Sequence, residues 1–243
     1  MIPPDHPRYR SLVTRELLAE GVNSGIVSLE GLTAHGRGEA FDYFIGERTT
    51  KSAFLAERTA AALLLSARHP LISVNGNAAA LAPREIAALQ KACGALVEVN
   101  LFHRTEERVN LIEDLLRSAG AEVFSGAAEQ LLPLSHDRAW CRREGMFSAD
   151  VILVPLEDGD RAEALVGMGK TVIAIDLNPL SRTARRASLT IVDELTRALP
   201  NITSACRNLT GAERVELVTS IDNTYLLSEA IREMTGRLSH ALD

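Results

Sequence analysis

The sequence predicts an α/β fold: a Rossmann-like, doubly wound, mostly parallel sheet with an N-terminal helical segment and a long C-terminal helix. Three observations carry that expectation. Short apolar runs with strand character recur from about residue 70: "LISVN" (71–75), "ALVEVN" (95–100), "AEVF" (121–124), "DVILV" (150–154), "TVIAID" (171–176) and "SLTIVD" (188–193). Stretches with helical spacing separate them. The alternation of strand and helix, with the strands apolar throughout, is the pattern of a parallel sheet covered on both faces.

The elements follow in chain order. Residues 1–69 open with a helix around "PRYRSLVTRELLAEG". The run "EGLTAHGRGEAFDYFIGERTT" (30–50) then packs His35, Arg37 and Glu39 between glycines and reads as a glycine-rich loop. "KSAFLAERTAAALLLSA" (51–67) is a helix apolar on more than one face and is expected to be buried. In the core, residues 70–209, "PREIAALQKACG" places Pro83 at a first helical position, and "TEERVNLIEDLLRSAG" has acids in its first turn and Gly120 as its stop. Residues 210–243 begin with the capping box "TGAE". Val218, Ile221, Tyr225, Leu227, Ile231, Met234 and Leu238 then stripe one long terminal helix, which packs on the sheet or forms the contact of a homodimer. No internal repeat or low-complexity linker interrupts the 243 residues, which are expected to form a single domain.

Composition narrows the function. The chain is 46% hydrophobic, ample for one large core. A net charge of −6 and a pI near 5.6 argue against a general nucleic-acid surface. No apolar run reaches membrane-spanning length, and "MIPPDHPRYR" lacks a signal-peptide core, so a cytoplasmic protein without membrane attachment is expected. Cys93, Cys141 and Cys206 are dispersed and odd in number, which suits a reducing compartment. With no HExxH and no Cys/His cluster, a zinc site is not expected.

Open α/β sheets place ligands outside the carboxyl ends of their strands. Polar residues collect there: Asn75-Gly76-Asn77 after the first strand, Asn100 with Arg104 after the second, and Asp176 and Asn178 followed by Ser181, Arg182 and Thr183. Asn75-Gly76-Asn77 is not a GxGxxG fingerprint, which disfavours ordinary dinucleotide binding, and such asparagines also serve as turn formers. Asp176 can take a ribose hydroxyl or adenine contact, or hold a Mg²⁺ ion that accompanies a nucleotide. Ser181-Arg182-Thr183 starts a short helix whose free N–H groups favour phosphate. Arg185 and Arg186 fit that cluster or an ordinary solvated face, and Asp193 and Glu194 in "VDE" border the same place. In "HGRGEA", Gly36 and Gly38 allow close backbone approach, Arg37 can grip a carboxylate or phosphate, and His35 and Glu39 can orient it or move a proton. Arg15, Arg8 and His6 can complete an anion site.

Taken together, "HPRYRSL…RELLAEG", "GLTAHGRGEAFDYFIGE", "PLISVNGNAAAL", "VEVNLFHRTEERV" and "IDLNPLSRTARRASLTIVDELTRALPN" resemble the archaeal phosphopantothenate synthetase family, the 4-phosphopantoate–β-alanine ligases, over nearly the whole chain. The resemblance implies a cytosolic homodimeric enzyme of coenzyme A biosynthesis. It implies that 4-phosphopantoate is joined to β-alanine while ATP, with Mg²⁺, is cleaved to AMP and diphosphate through a phosphopantoyl adenylate. It places ATP contacts on Arg15, Arg37, Asp176, Leu177, Asn178, Arg182, Thr183, Asp193 and Glu194, the last where an amide is expected in relatives. Asn75, Asn77, Asn100 and Arg104 are assigned to 4-phosphopantoate on geometric grounds. Arg37 is the expected charge stabiliser, with His35 or Glu39 assisting deprotonation of the amine. A nucleotide-dependent oxidoreductase and a non-catalytic nucleotide sensor remain the alternative readings.

Overall fold

The computed structural model describes residues 2–6, 8–156 and 158–241. Its N-terminal part is helical: α1 (Tyr9–Asn23), α2 (Leu29–Ile45) and α3 (Lys51–Ser66). The core follows as β1 (Pro70–Val74), α4 (Gly76–Leu81), α5 (Pro83–Cys93), β2 (Leu96–Val99) and α6 (Glu106–Ser118). An excursion carrying the short hairpin β3 (Glu129–Gln130) and β4 (Trp140–Cys141) leads to β5 (Val151–Pro155), α7 (Gly159–Gly167), β6 (Thr171–Ile175), α8 (Arg182–Arg186), β7 (Leu189–Ile191) and α9 (Leu195–Asn208). The chain closes with α10 (Gly211–Thr219) and α11 (Asn223–Ser239).

Five strands form one parallel sheet in the order β2-β1-β5-β6-β7. The register aligns Val97, Ile72, Leu153, Ile173 and Leu189 in one row across it. Side chains alternate along a strand, so this row shares a face, and all five belong to the larger buried cluster with Leu64 of α3, Ile86 and Leu89 of α5, Ile112 of α6 and Ile202 of α9. The residues between them, Leu71, Ile152, Val172 and Ala174, pack on the other face against Ala162 and Leu165 of α7 and Met146 of the excursion. Each fully buried leucine or isoleucine contributes about 1.5–3 kcal/mol relative to exposure, which is why the sheet centre tolerates so little polarity. The order reverses between β1 and β5, making the crevice that such folds use for ligands.

Three expectations need correction. "HGRGEA" is not a loop but the middle of α2, which Ser28 caps by accepting from the Gly31 N–H and which Gly46 ends at φ 84°. Two interior glycines cost about 1 kcal/mol each relative to alanine. Burial of Asp42 and Ile45, with Phe41 packed on the same small core, supports the helix nonetheless. "AEVF" supplies only a single bridge, Val97 to Val123, before the polar run at Ser125-Gly126 leads the chain off the sheet edge. The terminal stripe is divided over two helices, because Asp222 caps a new one by accepting from the Tyr225 N–H at 2.8 Å. Leu226, Leu227, Ala230 and Met234 are the buried face of α11. Among the described residues no helix is long and apolar enough to cross a membrane.

Candidate active site

A cleft of about 360 Å³ opens at the carboxyl ends of β6 and β7. Its walls are the N-terminal segment with His6, Arg8 and Arg10, one face of α2, Leu177, and the start of α9 from Glu194 to Arg197. The helical form of α2 determines which of its residues take part. His35, Glu39 and Asp42 follow one another at helical spacing and line the cleft together, whereas Arg37 projects from another side and is exposed. The charge of Arg37 bears on Asp176, just after β6. Gly38 lets α2 lie over the chain after β6: a Cβ there would stand 4.0 Å from Leu177 Cδ1.

Polar contacts tie the walls together. Arg15 of α1 donates from Nε (3.1 Å) and Nη2 (2.9 Å) to Oε2 of Glu39, and the Tyr43 hydroxyl donates to Oε1 at 3.3 Å. Arg8 Nη2 donates in turn to that hydroxyl at 2.7 Å. Beneath them, Arg197 bridges two carboxylates, donating from Nη2 to Asp193 Oδ1 (2.6 Å) and Asp42 Oδ1 (2.5 Å). Asp193 is buried and also accepts from Thr49 Oγ1 at 2.5 Å, so its carboxylate holds the cleft floor. Burial lowers the pKa of His35 against the pull of Glu39, which keeps the imidazole neutral at neutral pH. Burial raises Glu194, although Thr196 donates to it, and raises Asp176 against the opposing bonds from Ser181 and the Asn178 N–H.

The turn after β6 is built by its own side chains. Asp176 Oδ1 accepts from the Asn178 N–H (2.9 Å), Oδ2 accepts from the Ser181 hydroxyl, and Asn178 Oδ1 accepts from the Leu180 N–H (3.0 Å). Ser181 then caps α8 through the Ala184 N–H. Arg182 turns the other way, pairing with Asp160 and with Glu163 (2.6 Å) of α7, where Arg186 also meets Glu163 at 3.4 Å. Arg185 is exposed and Thr183 buried.

The remaining strand ends have other surroundings. Asn75 donates to the carbonyls of Pro155 (2.9 Å) and Leu156 (3.1 Å) across the crevice and caps α4 through the Ala78 N–H. Asn77 donates to the Gly31 carbonyl at 2.8 Å, an approach so close that any side chain at Gly31 would collide with it. Asn100 is buried at the end of β2 and Arg104 is half-buried just beyond, beside Arg142. His35, Glu39, Leu177 and Glu194 line one cleft, while Arg15 and Asp193 bond to its lining residues Glu39 and Arg197, and Arg37 bears on Asp176 next to Leu177. Asn75, Asn77, Asn100, Arg104 and Arg182 lie elsewhere on the sheet edge or turn from it.

Residues 52–237 match the family described as phosphopantothenate/pantothenate synthetase. The chain belongs to that family. Full-length likeness agrees: the 4-phosphopantoate–β-alanine ligase of Methanospirillum hungatei JF-1 is 59% identical over 243 residues, covering 100% of both chains. Those of Methanosarcina mazei and Thermococcus kodakarensis are 56% and 49% identical, each covering 98% of this chain, and 95% and 94% of their own lengths. The synthetase match begins inside α3, so Arg15, His35, Arg37 and Glu39 lie outside it but within the span shared with the Methanospirillum relative.

For this synthetase family member, sequence reasoning overlooked Arg197 and Asp42, the pair that anchors the cleft floor. A signal existed for one of them: Arg197 follows Asp193 by four residues at a helix start, within ion-pair reach. Asp42 has no local signal, because its partner comes from a helix far along the chain.

Proposed function

We propose that this chain joins 4-phosphopantoate to β-alanine, forming 4′-phosphopantothenate in coenzyme A biosynthesis while ATP is split to AMP and diphosphate. The observation that carries the reading is the end-to-end 59% identity to a 4-phosphopantoate–β-alanine ligase. The cleft supports it with a place for a nucleotide at the edge of a Rossmann-like sheet.

The reaction proceeds in two steps. A carboxylate oxygen of 4-phosphopantoate attacks the α-phosphorus of ATP, diphosphate leaves, and an acyl adenylate results. The β-alanine amine attacks the acyl carbon, the C–O bond to AMP breaks, and an amide forms with loss of the amine proton. Arg8 and Arg10 line the cleft, Arg15 bonds its Glu39 and Arg37 bears on Asp176, which supports a role for these arginines in holding phosphate charge, with positioning and charge stabilisation supplying most of the rate. His35, neutral and in the cleft, is placed to receive the amine proton, with Glu39 one turn away. Mg²⁺ would supply charge neutralisation on the phosphates, and Asp176, just after β6, is the carboxylate that would approach it.

The same reading makes the protein a cytoplasmic homodimer. Phe54 and Leu55 of α3, Val215 of α10 and Tyr225 and Ile231 of α11 leave apolar surface exposed on helices that pack against one another, a face suited to a second copy. Incubation of the purified protein with ATP, Mg²⁺, 4-phosphopantoate and β-alanine tests the function, with AMP and 4′-phosphopantothenate in equal amounts as the expected products. ADP would overturn the adenylate route, and no turnover of ATP would leave a nucleotide sensor.

A further inference from the structure

Cys93 and Cys206 lie far apart in the sequence, yet the fold brings their sulfurs together. α5 leads into β2 and α9 leaves β7, so both helices run back along the parallel sheet from its carboxyl edge. They pack on each other on the same face of the sheet, with their C-terminal ends side by side. Cys93 is the last residue of α5, and Cys206 lies in the last turn of α9. Cys206 belongs to the larger buried cluster, and Cys93 packs against that cluster. The Cys206 thiol donates to the Cys93 sulfur, while the Cys93 thiol donates to the Leu89 carbonyl at 3.1 Å. Both are free thiols.

The two thiols are unequal. The bond from Cys206, together with the Ala95 N–H, holds the Cys93 thiol below its ordinary value against the effect of burial. The same bond, with burial, pushes the Cys206 thiol up. Cys93 is also the more accessible: it is half-buried between exposed Lys91 and exposed Gly94, whereas Cys206 is buried. A reactive cysteine needs both access and thiolate character. Gly94 ends α5 at φ 70°, so the backbone beside Cys93 turns at once into a connection and can yield when the sulfur moves. Cys141 differs on each count. It packs in the cluster on the other face of the sheet, and burial pushes its thiol up to about 12.

Independently of the ligase reading, we infer that Cys93 and Cys206 are a reversible dithiol–disulfide pair, closed by a small-molecule disulfide, that staples α5 to α9. The Cys93 thiolate attacks one sulfur of the oxidant, the S–S bond of the oxidant breaks, and one thiolate leaves. Cys206 then loses its proton to solvent, with the charge of Arg207 in its favour, and attacks the Cys93 sulfur. The second half of the oxidant leaves as a thiolate. Two protein thiols thus give up two electrons, and the oxidant is reduced to two thiols. A reducing compartment reopens the bond by the reverse exchange, so the pair is a redox-sensitive staple and not a permanent one. The loop it closes spans β2, α6, the excursion and β5 to β7, which restricts the unfolded chain over much of the core.

Peptide mapping of the purified chain tests it. The wild type, Cys93→Ser and Cys206→Ser are treated with oxidised glutathione and denatured, and free thiols are alkylated with iodoacetamide. The products are mapped by mass spectrometry before and after dithiothreitol. The wild type is expected to lose two hydrogens, to link the peptides of Cys93 and Cys206 and to keep only Cys141 alkylated, with dithiothreitol restoring all three thiols. Cys206→Ser is expected to hold glutathione on Cys93, and Cys93→Ser to react at Cys206 at least about tenfold more slowly. Closing the bond should raise the wild-type thermal midpoint by about 5–10 °C, a shift absent from both variants. Three alkylated thiols in the treated wild type, or a glutathione adduct that never resolves to the linked pair, would overturn the pairing. An adduct forming on Cys206 as fast as on Cys93 would reverse the order of attack, and an oxidised chain melting no higher than the reduced one would remove the staple.

Discussion

Arg15 grips Glu39 from across the cleft: Nε and Nη2 lie 3.1 and 2.9 Å from the same carboxylate oxygen, joining α1 to α2. The arginine is nearly half exposed, so the pair contributes under about 1 kcal/mol to stability, and in the proposed function it orients a cation toward phosphate. Glu39→Gln and Arg15→Lys are each expected to raise KM for ATP several-fold while kcat stays within about threefold. Steady-state kinetics with varied ATP decides it. A collapse of kcat in Glu39→Gln at unchanged KM would instead assign Glu39 to proton transfer.

Arg37 carries the heaviest catalytic expectation at the least structural cost. It is exposed on α2 and its charge reaches Asp176. Arg37→Ala should lower kcat by about 100-fold, the scale of a lost charge stabiliser. Its unfolding midpoint should stay near that of the wild type, within about 0.5 kcal/mol. Turnover and a urea melt on the same preparation check both halves.

Arg197 is the reverse case. It separates Asp193, whose side chain is fully covered, from Asp42. Arg197→Ala leaves two carboxylates facing each other with little water, and a loss of about 3–5 kcal/mol is expected. Urea denaturation measures it, and a variant as stable as the wild type would contradict the role of this floor.

Glu57 makes stability depend on pH. It is fully buried on α3, its Oε2 accepts from Asn201 at 2.9 Å, and its Oε1 has no partner among the described residues. Burial, then the nearby Asp193, pushes its pKa up to about 9. The folded chain therefore holds a proton that the unfolded chain has released, and the associated stability, full at acid pH, declines as pH rises from about 4.3 toward that raised value. Glu57→Gln keeps the Asn201 bond and removes the slope. Its gain in urea midpoint over the wild type should be larger at pH 8 than at pH 5, and a gain that is constant or smaller at pH 8 would be inconsistent with a buried protonated acid.

The sheet was legible in the sequence because its strands are short apolar runs punctuated by helix signals that work locally, such as Pro83 and Gly120. The same is true of the strand-end turn at Asp176 to Ser181, whose side chains bond their own backbone. What was not legible depends on distant partners. "HGRGEA" looks like a loop because its glycines are poor helix formers, yet α2 is supported by packing of Phe41 and Ile45 beside Leu227 and Met234. Arg182 sits where phosphate was expected, but acids on α7 take it, and nothing near residue 182 announces Asp160 and Glu163. Asn75 and Asn77 have the residue type and strand-end position of ligand contacts, and their amides bond backbone carbonyls on other elements.

The adenylate route itself is tested by the fate of one oxygen. 4-Phosphopantoate labelled with ¹⁸O in its carboxylate is turned over with ATP, Mg²⁺ and β-alanine, and AMP, diphosphate and any inorganic phosphate are examined by mass spectrometry. Attack at the α-phosphorus predicts that one labelled oxygen appears in AMP and none in diphosphate. Label in inorganic phosphate, or none in AMP despite formation of 4′-phosphopantothenate, would contradict it.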